Sequence, residues 1–498
     1  MSMKHKAGVL LMTVGALLTA AAHGNASDGT LRIGIDQFPT NLDPGQNPWQ
    51  QQQAIMHLIA GTLTNQEPDG KQVTMGLAAS IEPGDKRFVV KLKPDLKFSD
   101  GSALTATDVV ASFNYYMNDK TNGYSYTFTP IERVIATDDL TVEFELKRPY
   151  PSLPFILALP SSEIIPSESI EARGSKDLYN GDHPLPAAGP FQVQSFGQDQ
   201  ITLQRNSHYA GTQPSTKTVI FKKIIDPAAR LAQVQGGEID WADGISPKQV
   251  GQLSAPVEVR SALAINGLSF LSLNNRDSSL LSDVRIRKAI AVAINRKQIN
   301  EVVHAGQSQP ALSLWATASR YSRPFLSADP DVTRAKELLA GTKCENACKL
   351  KLITSSASEA GGDTVIVVQQ NLKAIGIEVD IVKAEGATIN EWLTQGNFDL
   401  WAGGSFDVAD FPDGYLAWTV GQANEALYSG YSSSEMNRLI EQVNMTTGSE
   451  RDAAVAALNA LFEKDLPLVP TTNIVSVSAS RVPSEILNIS PTMYLEVR

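Results

Sequence analysis

The stretch LAASIEPGDKRFVVKLKPDLKFSDGSALTATDVVASFNYY (Leu77–Tyr116) determines more of the fold than any other part of the chain. Within it, Phe88, Val90 and Leu92 alternate with Val89 and Lys91. An alternation with a period of two residues is typical of a strand that buries one face. The sequence therefore predicts a strand here, followed by a polar loop.

A helix is predicted directly after that loop. Thr105 and Asp108 have the spacing of a capping box, with Asp in place of the commoner Glu. Val109, Phe113 and Tyr116 continue at helical spacing. This part of the chain therefore reads as strand, turn, strand, loop and capped helix.

The sequence of this stretch resembles the signature segment of the extracellular solute-binding proteins, family 5, of peptide-type ABC importers. Three other segments resemble motifs of the same family: QFPTNLDP (37–44), AAGPFQVQ (187–194) and DVRIRKAIAVAINRKQI (283–299). The last segment has apolar residues at helical spacing, so a single packed helix is predicted there. Arg285 and Arg287 within it are expected to support the fold rather than to contact a ligand.

Size and charge set broad limits on function. The chain has 498 residues and a formal net charge of −11. Its length suggests two or three domains. An acidic chain without a basic stripe does not neutralise phosphates, so nucleic acid is not expected as a partner.

The N-terminus has the pattern of an export signal. Lys4 and Lys6 precede an apolar run from Ala7 to Ala22, and small residues offer a cleavage site after Ala26, with Ala22 as the alternative. We expect residues 1–26 to be a cleavable signal peptide and the mature protein to be periplasmic. A membrane anchor is the alternative, although the apolar run is short for a bilayer span. No cysteine follows the run, so a lipid anchor is not expected.

The two cysteines of the chain, Cys344 and Cys348, lie in one turn. In an exported protein such a pair predicts a small local disulfide. A metal site is the alternative, but two thiols with no histidine nearby make a poor ligand set. No metal and no cofactor are expected.

The resemblance implies a mixed α/β fold with the two lobes of a type II periplasmic binding protein. The core of lobe I is expected at 27–66, 180–264 and 471–498, with an inserted subdomain at 67–179. Lobe II is expected at 265–470. After Pro330 the alternation of helices and strands independently suggests a lobe with a largely parallel sheet.

Enzyme motifs are absent from the sequence. There is no G-x-S-x-G elbow, phosphate loop, G-x-G-x-x-G or H-E-x-x-H. His57, His183, His208 and His304 occur in unrelated contexts and are expected to be ordinary core or surface residues. We therefore predict no enzymatic activity and no catalytic residues.

The best candidate site is FDLWAGGSFDVADFPDGYLAW (398–418), which places acidic residues among aromatic ones. The resemblance implies that this segment lies at the ligand cleft and that Asp410 pairs with a ligand's ammonium group. A carboxylate in an aromatic cleft offsets the cost of burying that ammonium. A polar turn is the alternative interpretation, because D-G and P-D are common in loops.

Two departures from the family pattern bear on the ligand. Asp407 stands where a tryptophan is usual, and Gly414 where a proline is usual, so the site is more acidic than that of a typical peptide binder. Arg320 and Arg323 lie in a loop that could meet a ligand carboxylate. The remaining candidate ligand contacts are Phe406, Trp401, Trp418, Phe38, Thr40 and Asn41.

The predicted function is that of a monomeric solute-binding component of an ABC importer. A di- or oligopeptide, or another amine-bearing solute, would bind between the lobes and be delivered to membrane permease subunits, with the ATPase on separate chains. An opine, a sugar or a metal chelate on the same fold is the alternative ligand. An exported hydrolase and a signalling or chaperone-like module are the alternatives from other classes.

Overall fold

The computed structural model describes residues 29–44, 50–118, 125–173, 184–356, 359–407, 413–422 and 428–498. The predicted signal peptide lies outside these residues. The strands are β1 Thr30–Ile35, β2 Thr64–Gln66, β3 Val73–Met75, β4 Ala78–Pro83, β5 Arg87–Leu92, β6 Ile131–Asp138, β7 Thr141–Leu146, β8 Phe191–Phe196, β9 Gln200–Arg205, β10 Thr218–Lys223, β11 Trp241–Ala242, β12 Glu258–Leu273, β13 Cys348–Ser355, β14 Ile377–Ala384, β15 Leu400–Asp407, β16 Leu468–Ser480, β17 Leu487–Ile489 and β18 Leu495–Val497.

The helices are α1 Gln50–Ile59, α2 Ala106–Asn118, α3 Ser125–Phe128, α4 Leu153–Ile156, α5 Ser167–Arg173, α6 Pro227–Gly236, α7 Val284–Ala293, α8 Arg296–His304, α9 Val332–Leu339, α10 Glu359–Lys373, α11 Gly386–Gln395, α12 Asp413–Thr419, α13 Ser434–Met445 and α14 Gly448–Asp465. Short 3-10 helices span Pro160–Ser162, Pro247–Gln252 and Leu280–Ser282. In the described part of the chain, no helix has both the length and the apolar character needed to cross a membrane.

The signature segment folds as its pattern predicts. Phe88, Val90 and Leu92 of β5 are buried, and their strand lies in a four-stranded antiparallel sheet of order β4-β5-β7-β6. The Thr105 amide donates to Asp108 Oδ2 at 2.8 Å, and the Thr107 amide donates to Thr105 Oγ1 at 3.3 Å. This confirms the reciprocal capping of α2.

A ten-stranded sheet runs through the molecule in the order β14-β13-β15-β12-β16-β11-β1-β10-β9-β8. Strand β13 is parallel to both β14 and β15, as the alternating helices and strands predicted. The centre of the sheet is antiparallel, because β12 pairs with β15 on one side and with β16 on the other.

Strands β12 and β16 are unusually long and join the two ends of the molecule. Their register shifts between Leu263 and Leu268, so several residues of β12 bulge out opposite a short part of β16. Such a bulge interrupts pairing and bends the strand. We call this bulge, residues 264–267, the crossover.

Apolar side chains form one large buried cluster on each side of the crossover. The first draws on residues between Leu31 and Leu495, including both ends of the described chain. The second draws only on residues between Leu268 and Val469. The separation gives two bodies joined by β12 and β16.

One predicted helix is in fact two. Helix α7 ends at Ala293, and α8 begins at Arg296, with Asn295 between them. The Asn295 side chain accepts from the Gln298 amide at 2.9 Å and so caps the second helix. The prediction of one continuous helix was wrong because the apolar face continues across the break, while the capping residue redirects the chain.

The arginines of this region support the fold, as expected. Arg287 is buried and donates to backbone carbonyls of Leu281 and Asp465, which tie α7 to the end of α14. Arg285 lies on the surface and pairs with Asp283 at 2.8 Å.

Candidate functional site

The topology brings the two predicted ligand loops to the crossover. Strand β15 ends at Asp407, directly opposite Asn266 of the crossover. Strand β1 is parallel to β11, and β11 is antiparallel to β16, so β1 and β16 run in opposite directions. Strand β1 ends at Ile35, on the side of the crossover away from β15. Ligands of α/β proteins bind outside the carboxyl ends of strands, and here two such ends face each other.

Asp407 and Asn266 share one face of the sheet. Residues directly opposite in an antiparallel pair project their side chains to the same side, with Cβ atoms about 5 Å apart. Asp407 is half-buried, whereas Asn266 is fully buried. Neither Nδ2 nor Oδ1 of Asn266 has a hydrogen-bond partner among the residues that the structure describes. The sequence analysis did not single out Asn266.

Aromatic rings extend this face away from the crossover. Trp401 lies two residues from Gly403 on β15 and stacks on Tyr428, with ring centroids 5.3 Å apart. Trp418 of α12 lies 6.3 Å from the same tyrosine ring. Tyr428 therefore joins two of the predicted contacts, Trp401 and Trp418. Phe270 meets Trp401 edge-on at 6.2 Å.

The first body contributes the loop after β1. Phe38 is half-buried and stacks on Phe196, with centroids 6.4 Å apart and an interplanar angle of 6°. Thr40 is exposed. The Asn41 side chain accepts from the Asp43 amide at 3.0 Å, which fixes the turn. Of these predicted contacts, Thr40 is the most accessible, while Phe38 also packs against the core.

The remaining predicted residues of this segment are only partly described. Asp410 lies outside the described residues. Phe406 belongs to β15 opposite Gly267. Their roles as ligand contacts remain predictions.

Charged groups cluster where β1 ends. Arg230 is buried, lies 3.6 Å from Asp36 Oδ2 and donates to the Gly244 carbonyl at 2.8 Å. Nearby, Ser478 Oγ of β16 donates to Asp243 at 3.1 Å. Burial raises the pKa of the Asp243 carboxyl, and the negative charge of Asp36 raises it further.

The two candidate arginines, Arg320 and Arg323, lie in the long loop between helices α8 and α9. The Arg320 guanidinium sits 4.9 Å from the ring centroid of Tyr321. Arg323 donates to the carbonyls of Arg320 and Ser322. These contacts hold the loop, and a role toward a ligand carboxylate stays a prediction.

The histidines are scattered, as the sequence indicated. His57 stacks on Tyr494, His208 is exposed, and His304 is buried. His183 lies outside the described residues. Within the described ranges, no group of three or more His, Cys, Asp or Glu residues is placed to hold a metal ion.

The predicted disulfide is confirmed. Cys344 and Cys348 are bonded, with Cα atoms 4.8 Å apart. The bond closes the turn that leads into β13.

A separate cavity of about 660 Å³ lies in the first body, among His57, Lys93, Tyr209 and Glu496. None of the predicted ligand contacts lines it. Its size alone does not make it the solute site, because neither Ile35 nor Asp407, the two facing strand ends, lines it.

Comparison with known proteins identifies the family of the chain. A sequence model of the bacterial extracellular solute-binding proteins, family 5 (middle region), matches residues 72–426. The chain belongs to this family. The predicted resemblance is thereby confirmed.

A curated relative matches over most of the chain. The probable D,D-dipeptide-binding periplasmic protein DdpA of Escherichia coli K12 is 25% identical over 452 residues, which is 88% of this chain and 87% of the relative.

Solved structures share the two-lobed fold. DppA of Helicobacter pylori, solved with the peptide STSA, is 21% identical with a TM-score of 0.77, and the match covers 94% of this chain and 98% of DppA. AgaA of A. tumefaciens R10, solved with agropinic acid, is 23% identical with a TM-score of 0.74, and the match covers 91% and 93%. The predicted two-lobed fold is confirmed.

Proposed function

We propose that this chain is the periplasmic binding component of an ABC importer and that it captures a di- or oligopeptide, or another amine-bearing solute, at the crossover. The observation that supports this most is the convergence of two carboxyl strand ends, after Ile35 and at Asp407, on one part of the sheet. Family membership supports the transport role. The peptide is favoured because DdpA and DppA are named or solved as peptide binders.

Asp410 is the proposed partner of the ligand's ammonium group, with Asp407 adding negative charge beside it. An ammonium taken out of water is costly unless a carboxylate compensates it. Trp401, Tyr428 and Trp418 would supply the apolar wall for the rest of the solute. Phe38, Thr40 and Asn41 would contact the solute from the opposite body.

Binding would act by favouring a closed arrangement of the two lobes. A solute shifts such an equilibrium only if it binds the closed form better than the open one. Contacts from both β1 and β15 loops meet that condition, because both can be made at once only when the lobes approach. The proposed lobes are residues 27–66, 180–264 and 471–498, with the insert 67–179, and residues 265–470.

Delivery requires other chains. The sequence has no phosphate loop, so the energy for transport would come from a separate ATPase acting on membrane permease subunits. Residues 1–26 would direct export and be removed. The protein would bind and release its cargo without covalent chemistry.

A thermal-shift screen of the mature protein tests the proposal. The panel would hold alanine peptides of two to five residues, sugars, polyamines and agropinic acid. A ligand that binds only the native state stabilises it by about 2.7 kcal/mol at a hundred times its Kd. Stabilisation by free peptides is expected. Stabilisation by sugars alone, or by none of the panel, would contradict the proposal.

A non-peptide amine is the second candidate solute. The acidic replacement at Asp407 favours a more cationic ligand than a typical peptide. Stabilisation by polyamines, without stabilisation by peptides, would select this candidate.

A further inference from the structure

Asn266 stands out among the buried polar side chains near the crossover. Its side chain is fully buried, and neither its nitrogen nor its oxygen has a hydrogen-bond partner within the described part of the chain. An amide offers two N–H donors and a carbonyl acceptor, and native proteins satisfy the great majority of such groups when they are buried. Each unmade bond carries the desolvation cost of the group.

Asn473 of the neighbouring strand shows what a structural asparagine looks like here. It is also almost fully buried and lies opposite Leu268, two residues along β12 from Asn266. Its Oδ1 accepts from the Thr317 amide at 2.8 Å, and its Nδ2 donates to the Gln309 carbonyl at 3.0 Å. Asn473 holds a loop, whereas the Asn266 side chain makes no hydrogen bond to any residue in the described ranges.

The position of Asn266 indicates what could satisfy it. It lies opposite Asp407, on the face where β15 ends, in the part of β12 that bulges away from β16. Bulges are common next to binding sites, where they re-aim a side chain. A solute bound at this strand end would lie on the same face of the sheet as the amide.

We infer that Asn266 is a ligand-binding residue whose amide hydrogen-bonds the backbone of one extended residue of a peptide ligand. This inference rests on the proposed function. An extended peptide residue presents its own N–H and C=O along one edge, as in a sheet. The amide of Asn266 offers the matching acceptor and donor, so it recognises backbone and is indifferent to the ligand's side chains.

The decisive variants are Asn266→Leu and the matched control Asn473→Leu. Leucine keeps the approximate shape of asparagine and removes its polar atoms. Asn266→Leu is expected to leave the ligand-free protein as stable as wild type or more so, because it removes an unsatisfied buried amide. Asn473→Leu is expected to lower stability, because it breaks formed bonds.

Affinity is measured by calorimetry with alanine peptides of two to five residues. Asn266→Leu is expected to lower the affinity at least about tenfold, as for the loss of a buried hydrogen bond. Trialanine methylated at a backbone nitrogen adds a second readout. Wild type should discriminate against one of its N-methyl isomers, and Asn266→Leu should lose that discrimination.

Each outcome decides. If wild type binds the peptides and a folded Asn266→Leu or Asn266→Ala binds them equally well, the inference fails while the proposed function stands. If Asn266→Leu loses stability as Asn473→Leu does, or if it and Asn266→Ala fail to fold, the residue is structural and the inference fails. If wild type binds no peptide, the proposed peptide function fails, and the inference with it.

Discussion

His304 Nε2 of α8 lies 3.1 Å from Thr472 Oγ1 of β16, so a buried imidazole is joined to one of the two strands that cross between the lobes. Burial lowers the pKa of His304 from 6.5 to about 4. The protonation state of this histidine therefore differs between the folded and unfolded chain over the mildly acidic range.

This pKa predicts a loss of stability in mild acid. Between pH 6.5 and 4 the unfolded chain binds a proton at His304 and the folded protein does not, so the free energy of unfolding falls as the pH falls. The expected contribution is about 2 kcal/mol between pH 7.5 and 5. Urea unfolding at both pH values would show a smaller difference for His304→Gln than for wild type.

The matched control for that measurement is His208→Gln, at an exposed position. It should leave the difference between the two pH values as in wild type. An equal difference for wild type and His304→Gln would show that other groups cause the acid sensitivity.

Asp108 is predicted to stabilise the first lobe beyond an ordinary helix cap. Its Oδ2 accepts from Thr105, and its Oδ1 accepts from the Ser167 amide at 2.9 Å, which joins α2 to α5. Asp108→Ala leaves both amides without their acceptor and should cost about 2–3 kcal/mol. Asp100→Ala, in an exposed turn, should cost much less. Equal losses in chemical unfolding would contradict this account.

The disulfide should matter little for binding. A loop between cysteines separated by four positions is short, so its closure should contribute no more than about 2 kcal/mol of stability. A Cys344→Ala, Cys348→Ala double variant should unfold at lower urea concentration but bind the same ligand with unchanged affinity. A large loss of affinity would show that this turn affects the solute site.

Asp410→Ala is predicted to lower affinity for an amine-bearing ligand at least about tenfold while the fold stays intact. The physical reason is that the ligand's ammonium loses its charged partner. Asp380→Ala, which removes a surface carboxylate paired with Lys349 at 2.7 Å, is the control and should bind as wild type does. Unchanged affinity in Asp410→Ala would remove this residue from the site.

Local patterns in the sequence predicted local structure well. The alternation around Val90 and the spacing of Thr105 and Asp108 gave β5 and the start of α2 correctly, because period and capping depend on neighbours in the chain. The break at Asn295 was missed, since the apolar face continues through it. Asn295, a residue type that often caps helices, was the sequence signal for a second helix start inside the helical pattern.

The site was predictable only in part. The acidic and aromatic segment was recognised, and Trp401 and Trp418 are joined through Tyr428, which lies beyond the end of that segment. Asn266 was missed because its significance comes from having no partner, which only the three-dimensional structure reveals. The weak signal was an Asn-Gly pair inside an otherwise apolar strand, where asparagine is disfavoured.

The most direct test of the central claim is calorimetric titration of the mature protein with trialanine and with N-acetyltrialanine. The account predicts saturable binding of one free peptide per protein, and at least about tenfold weaker binding of the acetylated form, because acetylation removes the ammonium. Equal affinities for the two peptides, or no binding by any free alanine peptide of two to five residues, would contradict it.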